Sequence, residues 1–239
     1  MTHSAFGTGD IEVIRRPDVV PGPFDVQEAM AGFSAQRADG GTVAVSSRCG
    51  PTAAFSRRDT LMPEYAAAAE VARSHGFEPV IRPVGGRLAA YDEASLVLHL
   101  RSGHPDPRTT ITDRFVVFAE LLREALSGLG LDDVRVGRVP GEYCSGEWSV
   151  NSGGRYKLAG TGQRVNRHGY LFSVVITVGR ADPLRAVLTD TYTAMGLDFD
   201  PDSVGAVERW LPGISVDDVE KALVQALLAL LRRDHAIVR

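Results

Sequence analysis

Apolar residues recur along this chain at two periods, near two and near 3.6, and each change of period marks a boundary between elements. The run Tyr170 to Val178 (YLFSVVITV) is the richest in β-branched and aromatic residues and reads as a central strand. Shorter strands are expected at Ile11 to Arg16, closed by Pro17, and at Thr42 to Ser46, ahead of the break at Gly50-Pro51. Residues 79–83, 96–100 and 134–136 read the same way. Ser152-Gly153-Gly154 separates two extended runs, so residues 148–151 and 155–158 are expected to pair as a hairpin.

Helical spacing predicts the other elements. Val26, Ala29, Met30 and Phe33 recur on one face, with Asp25 and Glu28 as a capping box and Gly40-Gly41 as the stop. The alanine-rich segment Pro63 to His75 is a helix by propensity and ends at Gly76. Thr109 to Leu129 carries Phe115, Phe118, Ala119, Leu122 and Leu126 on one face. Asp182-Pro183 predicts a capped helix start with an N1 proline, and Gly196 its end. Ser215 with Asp218 caps a last helix over 216–233, whose Val219, Leu223, Leu227 and Leu230 turn inward. Helices interleaved with hairpin-joined strands imply an α+β fold with a mixed or antiparallel sheet, and no linker divides residues 1–239.

Composition narrows the function. A chain of 239 residues with 44% hydrophobic content can bury a substantial core. A net charge of −4, with no basic run longer than two residues, argues against a nucleic-acid partner. The apolar stretch Ala222 to Leu231 is far short of the roughly 20 residues of a membrane span, and Met1 to Phe6 lack a signal-peptide pattern. Two cysteines make no disulfide framework, so a reducing cytoplasm is expected. His3, His75, His99, His104 and His235 show no metal-site spacing.

Charge usage singles out one residue. Of 26 basic side chains only Lys157 and Lys221 are lysine. Lysine presents a compact ammonium that a planar guanidinium cannot imitate. Lys157 lies in the Gly-bracketed run Tyr156 to Val165 and is read as holding an acyl carbonyl or phosphate oxygen, against the alternative of a solvated strand lysine. Thirteen residues earlier stands Cys144, in Glu142-Tyr143-Cys144-Ser145-Gly146-Glu147-Trp148. It is either a nucleophile that carries an acyl group or a small buried hydrophobe. Nearby Glu142 and Glu147 would raise its pKa and Lys157 would lower it. Gly85-Gly86 lets backbone N–H groups approach a carboxyl or phosphate, or is a plain turn. Arg87 is a bidentate anion binder or a surface arginine. Cys49 reads as structural, Trp148 as core or pocket wall, and Asp92 as starting a turn or ordering the arginine loop.

Taken together, Arg82-Pro83-Val84-Gly85-Gly86-Arg87 followed by Tyr91-Asp92, Lys157-Leu158-Ala159-Gly160-Thr161-Gly162-Gln163, and His168-Gly169 resemble the ordered motifs of the lipoate–protein ligase and octanoyl/lipoyl transferase superfamily. Glu142 to Gly146 is similar to the Cys loop of its cysteine-dependent amidotransferase branch. The resemblance spans roughly residues 10 to 200. It implies a biotin/lipoyl-protein-ligase-like catalytic domain, here without the further C-terminal domain of many ligases. The implied reaction moves an octanoyl or lipoyl group onto a lysine of a lipoyl-domain protein, such as the glycine cleavage H protein or a 2-oxoacid dehydrogenase E2 subunit. Carried over by position, Cys144 would be the thioester nucleophile and Lys157 would contact the reacting acyl group. Arg82, Gly85, Gly86 and Arg87, with Gly160 and Gln163, would bind substrate. His168 would bind the acceptor or orient Lys157, or have no catalytic task.

The same resemblance implies no permanent cofactor, the acyl group being substrate, with ATP and Mg²⁺ needed only by a ligase. Ile81, Val84, Arg87 and Tyr91 depart from the superfamily's commoner Arg, Ser or Thr, Gly and His, departures that touch adenylate binding more than acyl binding. An ATP-dependent lipoate ligase and a non-catalytic binder of acylated proteins are the alternatives.

Overall fold

A computed structural model of the chain describes residues 10–237; His3 and the N-terminal stretch lie outside the described residues, as does the side chain of His235. The strands are β1 (Ile11–Val20), β2 (Thr42–Cys49), β3 (Thr52–Phe55), β4 (Glu78–Ile81), β5 (Ala89–Tyr91), β6 (Ser95–Gly103), β7 (Val134–Val136), β8 (Val150–Ser152), β9 (Tyr156–Val165) and β10 (Gly169–Thr177). The helices are α1 (Gly22–Ser34), α2 (Tyr65–Ser74), α3 (Ile111–Gly128), α4 (Ala181–Ala194) and α5 (Val216–Ile237). None of the described helices is long and apolar enough to cross a membrane.

Two sheets result, one with the order β1-β2-β6-β10-β9-β8-β7 and a small one with the order β4-β3-β5. In the large sheet only β1 and β2 run parallel; the other neighbours are antiparallel. The fold is the expected α+β class with a mixed sheet, and β10 is its central strand. Alternation along β10 sends Tyr170, Phe172, Val174 and Ile176 into the core beneath α3 and α5, where Phe118 stacks on Phe172 at 4.1 Å. The opposite face carries Leu171, Ser173 and Val175 toward α1 and the small sheet. Behind the small sheet, α2 and α4 bury Phe55, Ala68, Ala72, Leu188 and Tyr192. The space between the large sheet's inner face and the small sheet's 82–88 loop becomes the site.

Several local expectations change. Pro17 does not close β1: the strand continues to Val20, with its register shifted between Arg15 and Val19. An edge strand tolerates the missing N–H. Asp25 is not a cap. Prolines set the start of α1, with Pro21 at the N-cap, and the Asp25 carboxylate is buried against the sheet. The helix also ends at Ser34, before Gly40-Gly41. In α4 the N-cap is Arg180 at φ 54°, so Asp182 and Pro183 fall inside the first turn. Ser215 and Asp218 do form a reciprocal cap, with Asp218 N–H donating to Ser215 Oγ at 3.2 Å and Ser215 N–H to Asp218 Oδ2 at 3.1 Å.

Candidate active site

Three segments converge on Cys144: the 82–88 loop between β4 and β5, the loop from β7 to β8, and strand β9. Cys144 has φ 44°, a left-handed conformation that a non-glycine residue holds only when its surroundings fix it. Its N–H donates to the Tyr192 hydroxyl at 2.7 Å, which in turn donates to the Leu88 carbonyl at 2.9 Å. Glu142 folds back and accepts from the N–H groups of Val139 at 3.1 Å and Gly146 at 3.3 Å. The loop is therefore tied at both ends by side chains.

From the other side, Lys157 reaches in from β9. A register shift between Val150 and Asn151 of β8 lies opposite it, the kind of irregularity that re-aims a side chain. Lys157 is 1% exposed. Its Nζ stands 2.9 Å from Glu142 Oε2 and donates to the carbonyls of Tyr143 at 2.9 Å and Cys144 at 3.1 Å, above the Tyr143 ring. A solvated lysine is excluded. The ammonium clamps the cysteine loop itself, and Gly160 makes room for it: a Cβ there would lie 3.2 Å from Lys157 Cε.

The Cys144 Sγ accepts from Arg82 Nη2 at 3.1 Å and from the Arg87 N–H at 3.3 Å. Burial pushes this thiol up, but the Arg82 guanidinium, the Lys157 ammonium and the Arg87 N–H outweigh it, and the pKa lies below the ordinary thiol value. The two glutamates have cationic partners of their own: Glu142 pairs with Lys157, and exposed Glu147 with Arg138. Gly86, at φ 113°, allows this contact: a Cβ there would fall 2.3 Å from Arg82 Nη2 and 2.7 Å from Cys144 Sγ. Arg82 Nη2 also donates to the Arg87 carbonyl at 2.5 Å, which closes the loop on itself. The buried Nε of Arg82 has no hydrogen-bond partner among the described residues.

Beside Cys144 lies a cavity of about 380 Å³, within the range of small-molecule sites. Arg82, Gly85, Gly86, Cys144 and Lys157 form its reactive end, while Ile111, Phe115, Trp148, Val165 and Val175 give apolar wall. The expected site residues divide accordingly. Gly160 and Gln163 line the cavity. The Gln163 amide is held by Arg114 Nε at 2.8 Å and the Ile111 carbonyl at 2.7 Å, which ties β9 to the start of α3. The Arg87 side chain turns away to buried Asp59 at 3.1 Å, so only its backbone meets the cavity region. Arg164 rests on the Pro83 carbonyl, and His168 sits in the β9–β10 turn outside the cavity lining. Asp92 starts the turn before β6, accepting from the Ala94 N–H at 2.9 Å. Tyr192 was not foreseen; it is one more aromatic on a helix face, and nothing local marks its hydroxyl.

Comparison with known proteins agrees with this geometry. The lipoyl protein ligase A/B catalytic domain matches residues 27–228. An octanoyl-[GcvH]:protein N-octanoyltransferase of Exiguobacterium sibiricum is 26% identical over 194 residues, 75% of this chain and 68% of that protein. The protein of that name in Oceanobacillus iheyensis is 25% identical over 71% of this chain and 63% of its own length. The chain thus spans about two thirds of these relatives. A putative lipoate protein ligase from T. acidophilum, solved with lipoic acid, superposes with a TM-score of 0.70 at 17% identity, over 94% of this chain and 86% of that one. Lipoate-protein ligase A bound with ATP gives 0.67 at 18% identity, over 94% and 85%. By that match over most of its length, the chain belongs to the lipoyl protein ligase A/B catalytic domain family.

Proposed function

We propose that this protein is an acyltransferase that moves an octanoyl or lipoyl group between lysines of lipoyl carrier proteins through a thioester on Cys144. The observation that carries it is the placement of the Cys144 sulfur between the Arg82 guanidinium and the Arg87 N–H, at the mouth of a largely apolar cavity. The relatives are named for an octanoyl-[GcvH] donor, and one solved structure is described as a bipartite lipoate protein ligase and its E2 lipoyl domain from T. acidophilum. By analogy, the glycine cleavage H protein and E2 lipoyl domains are the partners proposed here. The acyl group arrives as substrate, so the scheme needs neither a resident cofactor nor ATP.

In the first step the Cys144 thiolate attacks the acyl-amide carbonyl of the donor. The C–N bond breaks, and the leaving lysine amine takes up from solvent the proton that the thiol gave up on ionising. In the second step an acceptor amine attacks the thioester, the C–S bond breaks, and the amine's proton returns to sulfur. Arg82 Nε is a buried donor without a partner, a state that costs about 1–3 kcal/mol. The acyl carbonyl oxygen is the group suited to accept from it. Lys157 keeps the Cys144 carbonyl and the Glu142 carboxylate in place, so its role is to position the loop and lower the thiol's pKa.

Intact-mass analysis after incubation with octanoylated H protein tests this. An octanoyl increment on the wild-type chain, absent from Cys144→Ala together with transfer, is the expected result. Full transfer by Cys144→Ala would overturn the scheme.

A further inference from the structure

The inner face of the large sheet holds a second polar constellation that acyl transfer does not use. In β10, Ser173 lies opposite Gly162 of β9 and His99 of β6. His99 bridges two partners, with Nδ1 2.8 Å from Ser173 Oγ and Nε2 2.8 Å from Asp25 Oδ2. Asp25 is 1% exposed; its other oxygen accepts from Ser47 Oγ at 2.9 Å and faces Arg16 Nη1 at 3.4 Å. The row thus fastens α1 and strands β1, β2, β6 and β10 to one another.

This row meets the cavity. A narrow extension of about 30 Å³ shares Arg82, Ala89, Gly160, Gly162 and Val175 with the main space. Tyr91, Val97, His99 and Ser173 also line it. Gly160 and Gly162 leave the passage open, because neither projects a side chain onto this face. The extension has room for only two or three water-sized positions, by the rough size of one such position.

We propose that the hydrogen-bonded row Ser173–His99–Asp25 is the floor of the acyl cavity and determines its specificity. It admits a straight, saturated acyl chain that ends at Ser173, rejects longer chains, and takes the wider dithiolane ring of a lipoyl group less well than an octanoyl chain. The proposal rests on reading the cavity as an acyl site. A floor of loose aliphatic side chains would yield to a longer ligand. This one resists, since each added methylene gains about fourfold in binding. Pushing Ser173 off His99 leaves a buried polar group unpaired, a loss of roughly fivefold to 150-fold.

Calorimetric titration of Cys144→Ala with straight-chain fatty acids from hexanoate to tetradecanoate, and with lipoate, tests the floor without requiring turnover. The expected result is a sharp cut-off in chain length and weaker binding of lipoate than of octanoate. Adding Ser173→Ala moves the cut-off to longer chains and improves lipoate binding relative to octanoate about tenfold. Val97→Ala does the same by volume alone and leaves the His99–Asp25 pair intact, which covers the case in which Ser173→Ala misfolds. A cut-off unmoved in every folded variant, or no fatty-acid binding at all, overturns the proposal. Thioester formation on wild-type Cys144 is read separately. A shifted ladder without a thioester leaves the floor and removes the transferase; a thioester with an unshifted ladder does the reverse.

Discussion

Arg82 Nη2 donates to Cys144 Sγ across 3.1 Å, and this contact joins the small sheet's loop to the cysteine loop of the large sheet. It puts a fixed positive charge on the sulfur inside a site that would otherwise favour the neutral thiol. Burial and the guanidinium oppose each other here, and the guanidinium, with help from Lys157 and the Arg87 N–H, prevails.

Replacing Arg82 with Met therefore raises the Cys144 pKa. With the thiol below its ordinary value, wild-type alkylation by iodoacetamide rises with pH through a midpoint lower than that of a free cysteine. In Arg82→Met that midpoint moves up. At neutral pH the rate falls roughly tenfold or more, as expected from losing a charge-assisted hydrogen bond of about 1.5–3 kcal/mol. An unchanged pH–rate profile would show that the contact does not tune the thiol.

Gly86→Ala tests the same junction sterically. Its Cβ would collide with Arg82 Nη2 and Cys144 Sγ, and φ 113° strains any L side chain. Sulfur and guanidinium must part by a large fraction of an ångström. Transfer should fall on the order of 100-fold, as misplacement near 1 Å does. The fold should survive, because residue 86 lies on an exposed loop. Comparing melting temperature with transfer rate separates the two effects.

How much of this was legible in the sequence depends on the kind of interaction. Strand β10 announces itself, because Val, Ile and Phe fit a pleated surface wherever it lies. Strands β3 and β5 do not: they are written TAAF and AAY, with alanines that let the alanine face of α2 pack closely but carry little strand preference. The rarity of lysine pointed to Lys157, yet what the ammonium grips is two carbonyls and Glu142. Backbone partners have no letter in a sequence. The same holds for Arg87, whose N–H reaches the sulfur while its side chain serves Asp59. Tyr192 stands 48 residues from the N–H it accepts, and only the packing of α4 on the small sheet brings them together.

Asp25→Asn should expose the structural share of the buried row. Burial pushes the Asp25 carboxyl up, but His99, Ser47 and Arg16 outweigh it and hold its pKa below the ordinary value. A carboxyl lowered in this way stabilises the fold above its unfolded pKa, and that contribution is lost as pH falls through the lower folded value. The variant should be less stable at neutral pH by about 1–3 kcal/mol, as when hydrogen bonds to a buried charged group are lost. Its stability should also fall less steeply on acidification. Urea unfolding at neutral and acidic pH checks both, and parallel pH dependences for the two proteins would contradict the assignment.

The last prediction concerns Lys157 and Glu142, whose side chains are 2% and 0% exposed at a separation of 2.9 Å. Lys157→Met alone leaves a buried carboxylate without its counter-charge and should cost about 3–5 kcal/mol. Lost transfer in that variant would be ambiguous, since an unstable loop and a missing ammonium give the same result. Adding Glu142→Gln removes the stranded charge while keeping an oxygen to accept from the Val139 and Gly146 N–H groups. The double variant should therefore be more stable than Lys157→Met alone, the two losses being far from additive because both act on one pair. Transfer should not recover, because the carbonyls of Tyr143 and Cys144 still lack their donor and the sulfur still lacks the Lys157 charge. Recovery of both stability and transfer would reduce Lys157 to a structural partner of Glu142, and the setting of the thiol would then fall to Arg82 and the Arg87 N–H alone.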